Sequence, residues 1–324
     1  MIRRRALTAG LAAGFALPAL SLRAQGWPGD RVTIVTSLPA GSSVDITMRL
    51  YADRLAPLWG KPVIIDNRGG ANGLLACQAV ARAKPDGLTL LGTSAMTHAA
   101  NPALYGERLP YDAVADFAAV TRTGNSPFAV MVHKGLGTKT LAAFIERIKS
   151  EPGRHNYGEG TVPARLATEL LLQTAGLEVT HVGYRGNQAG FPDLLNGRTS
   201  FMVVDVVGAK PLIDRGEVDA VALSEHARHP ALPDVPTSIE AGLPAYRFTT
   251  WSGLYAPKAT PPEVVAKIQR DFVTVFEMPE VKARLAQMGS QRDPLPTPEE
   301  FQAFTISEIA AWGRIIRQAG MRLE

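Results

Sequence analysis

The chain has 324 residues, a formal net charge of +4 and a single cysteine, Cys77. One cysteine excludes an internal disulfide framework, so a large hydrophobic core has to hold the fold. Four arginines and no acid lie within residues 1–24, so the remaining chain balances its 30 acidic residues with as many basic ones, which excludes a basic nucleic-acid surface.

Arg3, Arg4 and Arg5 precede an apolar, small-residue run from Leu7 to Leu20, and Leu22-Arg23-Ala24 offers a cleavage site before Gln25. This is the pattern of an export signal, compatible with the twin-arginine route and with ordinary secretion. The run is too short to span a bilayer, and no later stretch approaches about 20 uninterrupted apolar residues. A lipid anchor would need a cysteine just after the signal. The remaining chain, about 300 residues and long enough for two domains, is therefore expected free in the periplasm.

Val32–Thr36, Val63–Ile65, Leu88–Leu91 and Phe128–Val132 read as strands. A helix over Asp45–Leu58 separates the first two, with Met48, Tyr51, Leu55 and Leu58 recurring on one face. A second helix, Gly73–Ala83, precedes the turn Lys84-Pro-Asp-Gly87. The middle of the chain continues with a helix at Leu141–Ser150, a strand at His155–Tyr157, a helix at Ala164–Thr174 and a strand at Val179–Val182. A helix near Ala189–Leu195 and strands at Phe201–Val204 and Val218–Leu223 follow. Pro230 to Pro244 reads as irregular surface chain. Pro262–Phe276, Pro279–Met288 and Pro298–Ala319 read as helices, each opened by proline. The alternation implies an α/β fold with mostly parallel sheets flanked by helices.

Val120–His133 and Tyr246–Ala256 are the candidate crossings between two lobes, with Val130 and Trp251 as a paired hinge. This makes lobe 1 discontinuous, residues 25–126 and 250–324, and lobe 2 residues 127–249. Ligands of such open sheets bind beyond the carboxyl ends of the strands, at the lobe interface.

Ser37-Leu-Pro-Ala-Gly-Ser-Ser-Val-Asp45 follows a strand and opens a helix. Its small residues allow close backbone approach, and a helix start offers free N–H groups and a positive dipole end to an anion. The same residues also read as a helix cap, Ser42 with Asp45 completing a capping box. The two roles are compatible. Gly92–His98 lies after a further strand, as an ordinary strand-to-helix loop or a second ligand loop. In lobe 2, Asn156–Thr161 (with Glu159 and Thr161), Tyr184–Gln188 and Val204-Asp205 stand at strand ends. Catalytic patterns fail: Gly41–Asp45 and Gly92–Met96 both lack the final glycine of a nucleophile elbow, and no metal-ligand spacing or cofactor loop is complete. Gly69–Gly73 lacks the ending of a phosphate loop. No cofactor is expected.

The chain resembles the Bug receptors, the substrate-binding components of tripartite tricarboxylate transporters. The resemblance is carried by Pro39–Gly41 with Asp45, Asp66–Gly73, Pro85–Leu91, Asn101–Leu104 and Leu109–Asp112 with Asp116-Phe117. It continues through Asn156–Gly158, Pro233–Thr237, Glu240–Pro244, Trp251–Pro257 and Trp312-Gly313. It implies a bilobed type II periplasmic-binding fold with a two-segment hinge, closing around a small carboxylate-bearing ligand without turnover. It places Leu38, Ala40, Gly41, Ser42, Ser43 and Asp45 at the ligand's proximal carboxylate, Ser94, Ala95 and Asn101 on the second loop, and Asp205 at a strand end in lobe 2. Two departures from the family stand out: the hydroxyl-rich Gly41-Ser42-Ser43-Val44, and Arg165 where histidine is common. Arg165 stands either opposite a second carboxylate or on a solvated helix face. The implied partners are membrane transporter subunits, with a sensor kinase as the alternative, and the receptor itself is expected as a monomer. Fold alone does not separate transport, sensing and catalysis on one scaffold.

Overall fold

The computed structural model describes residues 26–290 and 295–318; the expected export signal lies outside them. Chain order opens with β1 (Val32–Thr36), α1 (Ser43–Trp59), β2 (Val63–Asn67), α2 (Leu74–Ala81) and β3 (Thr89–Ser94). β1 lies parallel between β2 and β3, with Ile34 opposite Ile65 on one side and Leu90 on the other. Such a central strand is covered on both faces, which is why Ile34 and Val35, adjacent and on opposite faces, are both buried. α1 packs Met48, Tyr51 and Leu55 inward, as its spacing predicts, but Leu58 is 46% exposed and Trp59 is buried instead. At 3.6 residues per turn Trp59 falls about 20° from Met48 around the helix and Leu58 about 80°, so the later residue holds the core position.

After β3 a single π-helical turn, Met96–Ala100, runs into the short helix α3 (Asn101–Tyr105). β4 (Phe117–Val132) is sixteen residues long and leaves this first sheet for a second one. The second sheet contains β5 (Asn156–Glu159), β6 (Thr180–Gly183), β7 (Phe201–Asp205) and β8 (Asp219–Leu223). Around it lie α4 (Leu141–Ser150), α5 (Val162–Ala175), α6 (Asn187–Leu195) and α7 (Val206–Asp214). α7 has no helical signature in the sequence, because Pro211 sits inside it and removes a backbone donor. β9 (Thr249–Pro257) returns to the first sheet, followed by α8 (Pro262–Phe276), α9 (Pro279–Met288) and α10 (Pro298–Gln318). The strand order is β2-β1-β3-β9-β4-β7-β5-β6, with β8 on β4. The trios β2-β1-β3 and β7-β5-β6 are parallel, and the strands that cross between them pair antiparallel.

The crossing therefore consists of two strands hydrogen-bonded to each other. Trp251 pairs with Asn125, and Thr249 with Pro127. Val130 is not Trp251's partner: it lies inside the second sheet, opposite Val203 and Ala222. α10 braces this crossing. Phe301 fills the space over Gly253, where a Cβ would come within 2.2 Å of its ring. The indoles of Trp251 and Trp312 both donate to Glu308 Oε2 at 2.9 Å.

Candidate functional site

The loop from Ser37 to Ser42 joins β1 to α1 at the carboxyl end of the first sheet. Ser42 caps α1, its Oγ accepting from the Asp45 amide at 3.3 Å. The expected return bond of a capping box to Ser42 is replaced. Asp45 Oδ2 accepts from the amide of Gly41, at 2.9 Å, while the Ser42 amide donates to Pro39 O. Asp45 is buried and also accepts from Asn67 Nδ2 at 2.8 Å and from Arg49 at 2.9 and 3.1 Å. Burial alone would raise its carboxyl, but Arg49, the Gly41 amide and Asn67 outweigh that and hold it below the ordinary value. Asp45 thus shapes the loop from behind, and the α1 amides left without an intrahelical acceptor are those of Ser43 and Val44.

Gly41 has φ +79° and a Cβ there would meet nothing within 4 Å. Backbone shape, not crowding, requires this glycine. Gly41→Ala is expected to lower stability by about 1–2 kcal/mol and to weaken ligand capture through distortion of the loop; denaturant melts and titration calorimetry check both.

A third loop of the same sheet, Gly69 to Gly73, presses on the first. A Cβ on Gly69 would lie 2.7 Å from the Pro39 nitrogen, and one on Gly73 2.7 Å from Thr97 Cγ2. Ala71 and Asn72 adopt left-handed conformations, φ 45° and 51°, unusual for residues with a side chain. Asn72 donates to Tyr105 Oη at 3.0 Å, and Asn101 Nδ2 donates to Asn72 O at 2.9 Å and to Tyr111 Oη at 3.1 Å. Asn101 therefore props this loop from beneath. Below the second loop, Ser37 Oγ, Thr93 Oγ1, Thr97 Oγ1 and His98 Nδ1 form a chain of contacts of 2.7, 2.6 and 2.8 Å. His98 is fully buried, and burial lowers its pKa to about 3, so the ring is neutral and structural.

From the second sheet, Thr161 caps α5, its Oγ1 accepting from Ala164. Glu159 faces His181, Oε1 to Nε2 at 2.8 Å; burial raises its carboxyl, with His181 and Arg165 opposing. The Tyr184 hydroxyl donates to Asp193 at 2.8 Å. Arg165 Nε is buried and has no hydrogen-bond partner. Asp205 caps α7 through the Gly208 amide at 3.0 Å; burial raises its carboxyl, opposed by Gly208 and by the hydroxyl of Ser43 across the lobes. Gln188 Nε2 also reaches across, donating to Gly41 O at 3.1 Å.

These loops enclose two spaces. The larger, about 720 Å³, has Leu38, Pro39 and Ala40 with Gly69–Gly73 on one side, and Gly160 with Tyr184–Gly186 on the other. The smaller lies deeper, against the crossing strands, where Ser43, Ser94 and Asp205 meet Asn125, Thr250 and Ser290. Of the residues named from sequence, Leu38, Ala40 and Tyr184 line the first and Ser43, Ser94 and Asp205 the second. Gly41, Ser42, Asp45, Asn101, Glu159 and Thr161 hold the loops in place, and Ala95 is buried behind Ser94. The Gly69–Gly73 loop is not assigned to the site from sequence, whereas Gly160, Gly186 and Gln188 fall within the strand-end loops Asn156–Thr161 and Tyr184–Gln188 that are so assigned. The glycine run at 69–73 was the available signal for the missed loop.

The model of the tripartite tricarboxylate transporter family receptor matches residues 47–321. Protein BugT of Bordetella pertussis is 27% identical over 96% of this chain and 95% of its own length. An R. palustris protein solved with adipate superposes with a TM-score of 0.87 at 30% identity, covering 91% of this chain and 99% of that one. MatC from Rhodopseudomonas palustris, solved with bound malate, superposes at 0.81 with 30% identity, over 90% and 100%. The chain belongs to the tripartite tricarboxylate transporter receptor family, that of the Bug receptors.

Proposed function

We propose that this solute-binding receptor is exported to the periplasm, captures a small carboxylate-bearing molecule between its lobes, and presents it to membrane subunits of a tripartite transporter without chemical turnover. Lobe 1 would comprise residues 25–126 and 250–324, lobe 2 residues 127–249, with the Asn125–Trp251 pairing as the hinge. The observation that carries the reading is the makeup of the larger cleft. It lies on the Ser37–Ala40 loop that leads into α1, and none of its lining residues is acidic. The first residues of α1, Ser43 and Val44, border the deeper space together with Asp205. A helix start supplies N–H donors and roughly half a positive charge, enough to seat a carboxylate without a cation. The Ser43 and Val44 amides would meet the proximal carboxylate, and Ser94 and Asp205 any polar group beside it. The relatives solved with adipate and malate support the ligand class.

A thermal-shift series over mono- and dicarboxylates tests this. A true ligand at 100 times its Kd is expected to stabilise the receptor by about 2.7 kcal/mol and to be recovered unchanged. Failure of every acid to raise the melting temperature would overturn the reading.

A further inference from the structure

We infer that Arg185 is the residue through which this receptor selects ligands bearing a second acidic group; the inference rests on the carboxylate reading above. Arg185 is the one charged side chain among the residues lining the larger cleft. It is exposed and makes no ion pair among the described residues, so its positive charge is uncompensated at the cleft. Its backbone is fixed on both sides. Tyr184 is anchored before it through Asp193, and Gly186 after it through the carbonyl of Gly160, at 3.1 Å. The guanidinium therefore swings from a stationary point on lobe 2, next to Gly186, which lies close to Pro39 of the loop leading into α1. The same cleft has apolar lining from Leu38, Pro39, Leu75 and Met96. A cation and an apolar lining in this cleft, with the α1 amides of Ser43 and Val44 bordering the deeper space, match a dicarboxylate with a hydrocarbon spacer.

Arg165, the other candidate, is differently placed. It lies beside Glu159 and Tyr157, opposing the rise of both their pKa values, and it is not among the residues lining the cleft. Its charge acts on Glu159 and Tyr157 within lobe 2, although its Nε has no hydrogen-bond partner.

The test is titration calorimetry of the parent, Arg185→Gln and Arg165→Gln with matched pairs: succinate and butyrate, adipate and hexanoate, terephthalate and benzoate. Arg185→Gln is expected to weaken the best dicarboxylate about tenfold while its monocarboxylate partner changes less than about twofold, and the parent's preference should shrink as salt rises. Arg165→Gln should leave the di-to-mono ratio at the parent value. An unchanged ratio in Arg185→Gln, or its loss in Arg165→Gln, overturns the assignment to Arg185 while leaving carboxylate capture standing. A parent that binds none of the six acids overturns the carboxylate reading and this assignment with it.

Discussion

Gly160→Ala is expected to abolish ligand capture and to destabilise the receptor by about 2–3 kcal/mol. A Cβ at this position would lie 2.0 Å from the carbonyl carbon of Gly186 and 2.4 Å from the nitrogen of Asn187. Both are backbone atoms, so no side chain can rotate away and the chain itself has to move. The two segments are also hydrogen-bonded: the Gly160 amide donates to Asn187 Oδ1 at 2.9 Å, and the Gly186 amide to Gly160 O at 3.1 Å. Separating them breaks these bonds and displaces the loop that carries Tyr184, Arg185 and Gln188. Gln188 would then lose its reach to the Gly41 carbonyl across the cleft. Denaturant melts and titration with the best acid from the thermal-shift series measure the two effects. Parent-like stability and affinity in Gly160→Ala would show that the loops are not held by this contact.

Much of this arrangement was legible in the sequence, because hydrophobic period and helix-end chemistry are local. The helices at Leu141–Ser150, Pro262–Phe276 and Pro279–Met288 occur with the bounds their spacing and their threonine, proline and glycine neighbours indicate. What escaped depends on long-range pairing. Val130 and Trp251 both look like hinge residues, but register between distant strands fixes Asn125 as Trp251's partner. The same limit applies to the site. Ser42 and Asp45 are recognisable as a cap, yet nothing local shows that Asp45 takes the Gly41 amide or that Asn67, on β2, joins it. Arg165 stood out by its departure from the family pattern, whereas Arg185 gains its place from the cleft, which exists only once the lobes face each other.

Asp45→Ala is expected to lower stability by about 1–2 kcal/mol and to remove high-affinity binding, although Asp45 lines neither space. Its carboxylate, itself buried, gathers the Gly41 amide, the Asn67 side chain and Arg49 into one part-buried knot. Alanine removes the acceptor of the Gly41 amide and one of the acceptors of Asn67 Nδ2, which keeps Thr36 Oγ1 at 2.7 Å. Both groups are only part-buried, so the loss lies at about 1–2 kcal/mol. Arg49 contributes little to that loss, since its side chain is half exposed and regains water. The loop over Pro39–Gly41 then has no anchor behind it, and the Ser43 and Val44 amides lose their fixed aim. Asp45→Asn keeps the volume but turns a donor toward the donors of Asn67 and Arg49, so its loss should be intermediate. The pH dependence separates this from a packing defect. Because the folded carboxyl titrates below its ordinary value of 3.8, its contribution is fully present above that value and is lost as pH falls through the lower folded pKa. The stability gap between parent and Asp45→Asn should therefore stay constant from neutral pH down to about pH 4 and narrow below it. A gap that persists unchanged at pH 2–3, or an Asp45→Ala protein that melts and binds like the parent at pH 7, would show that this carboxylate does not hold the ligand loop.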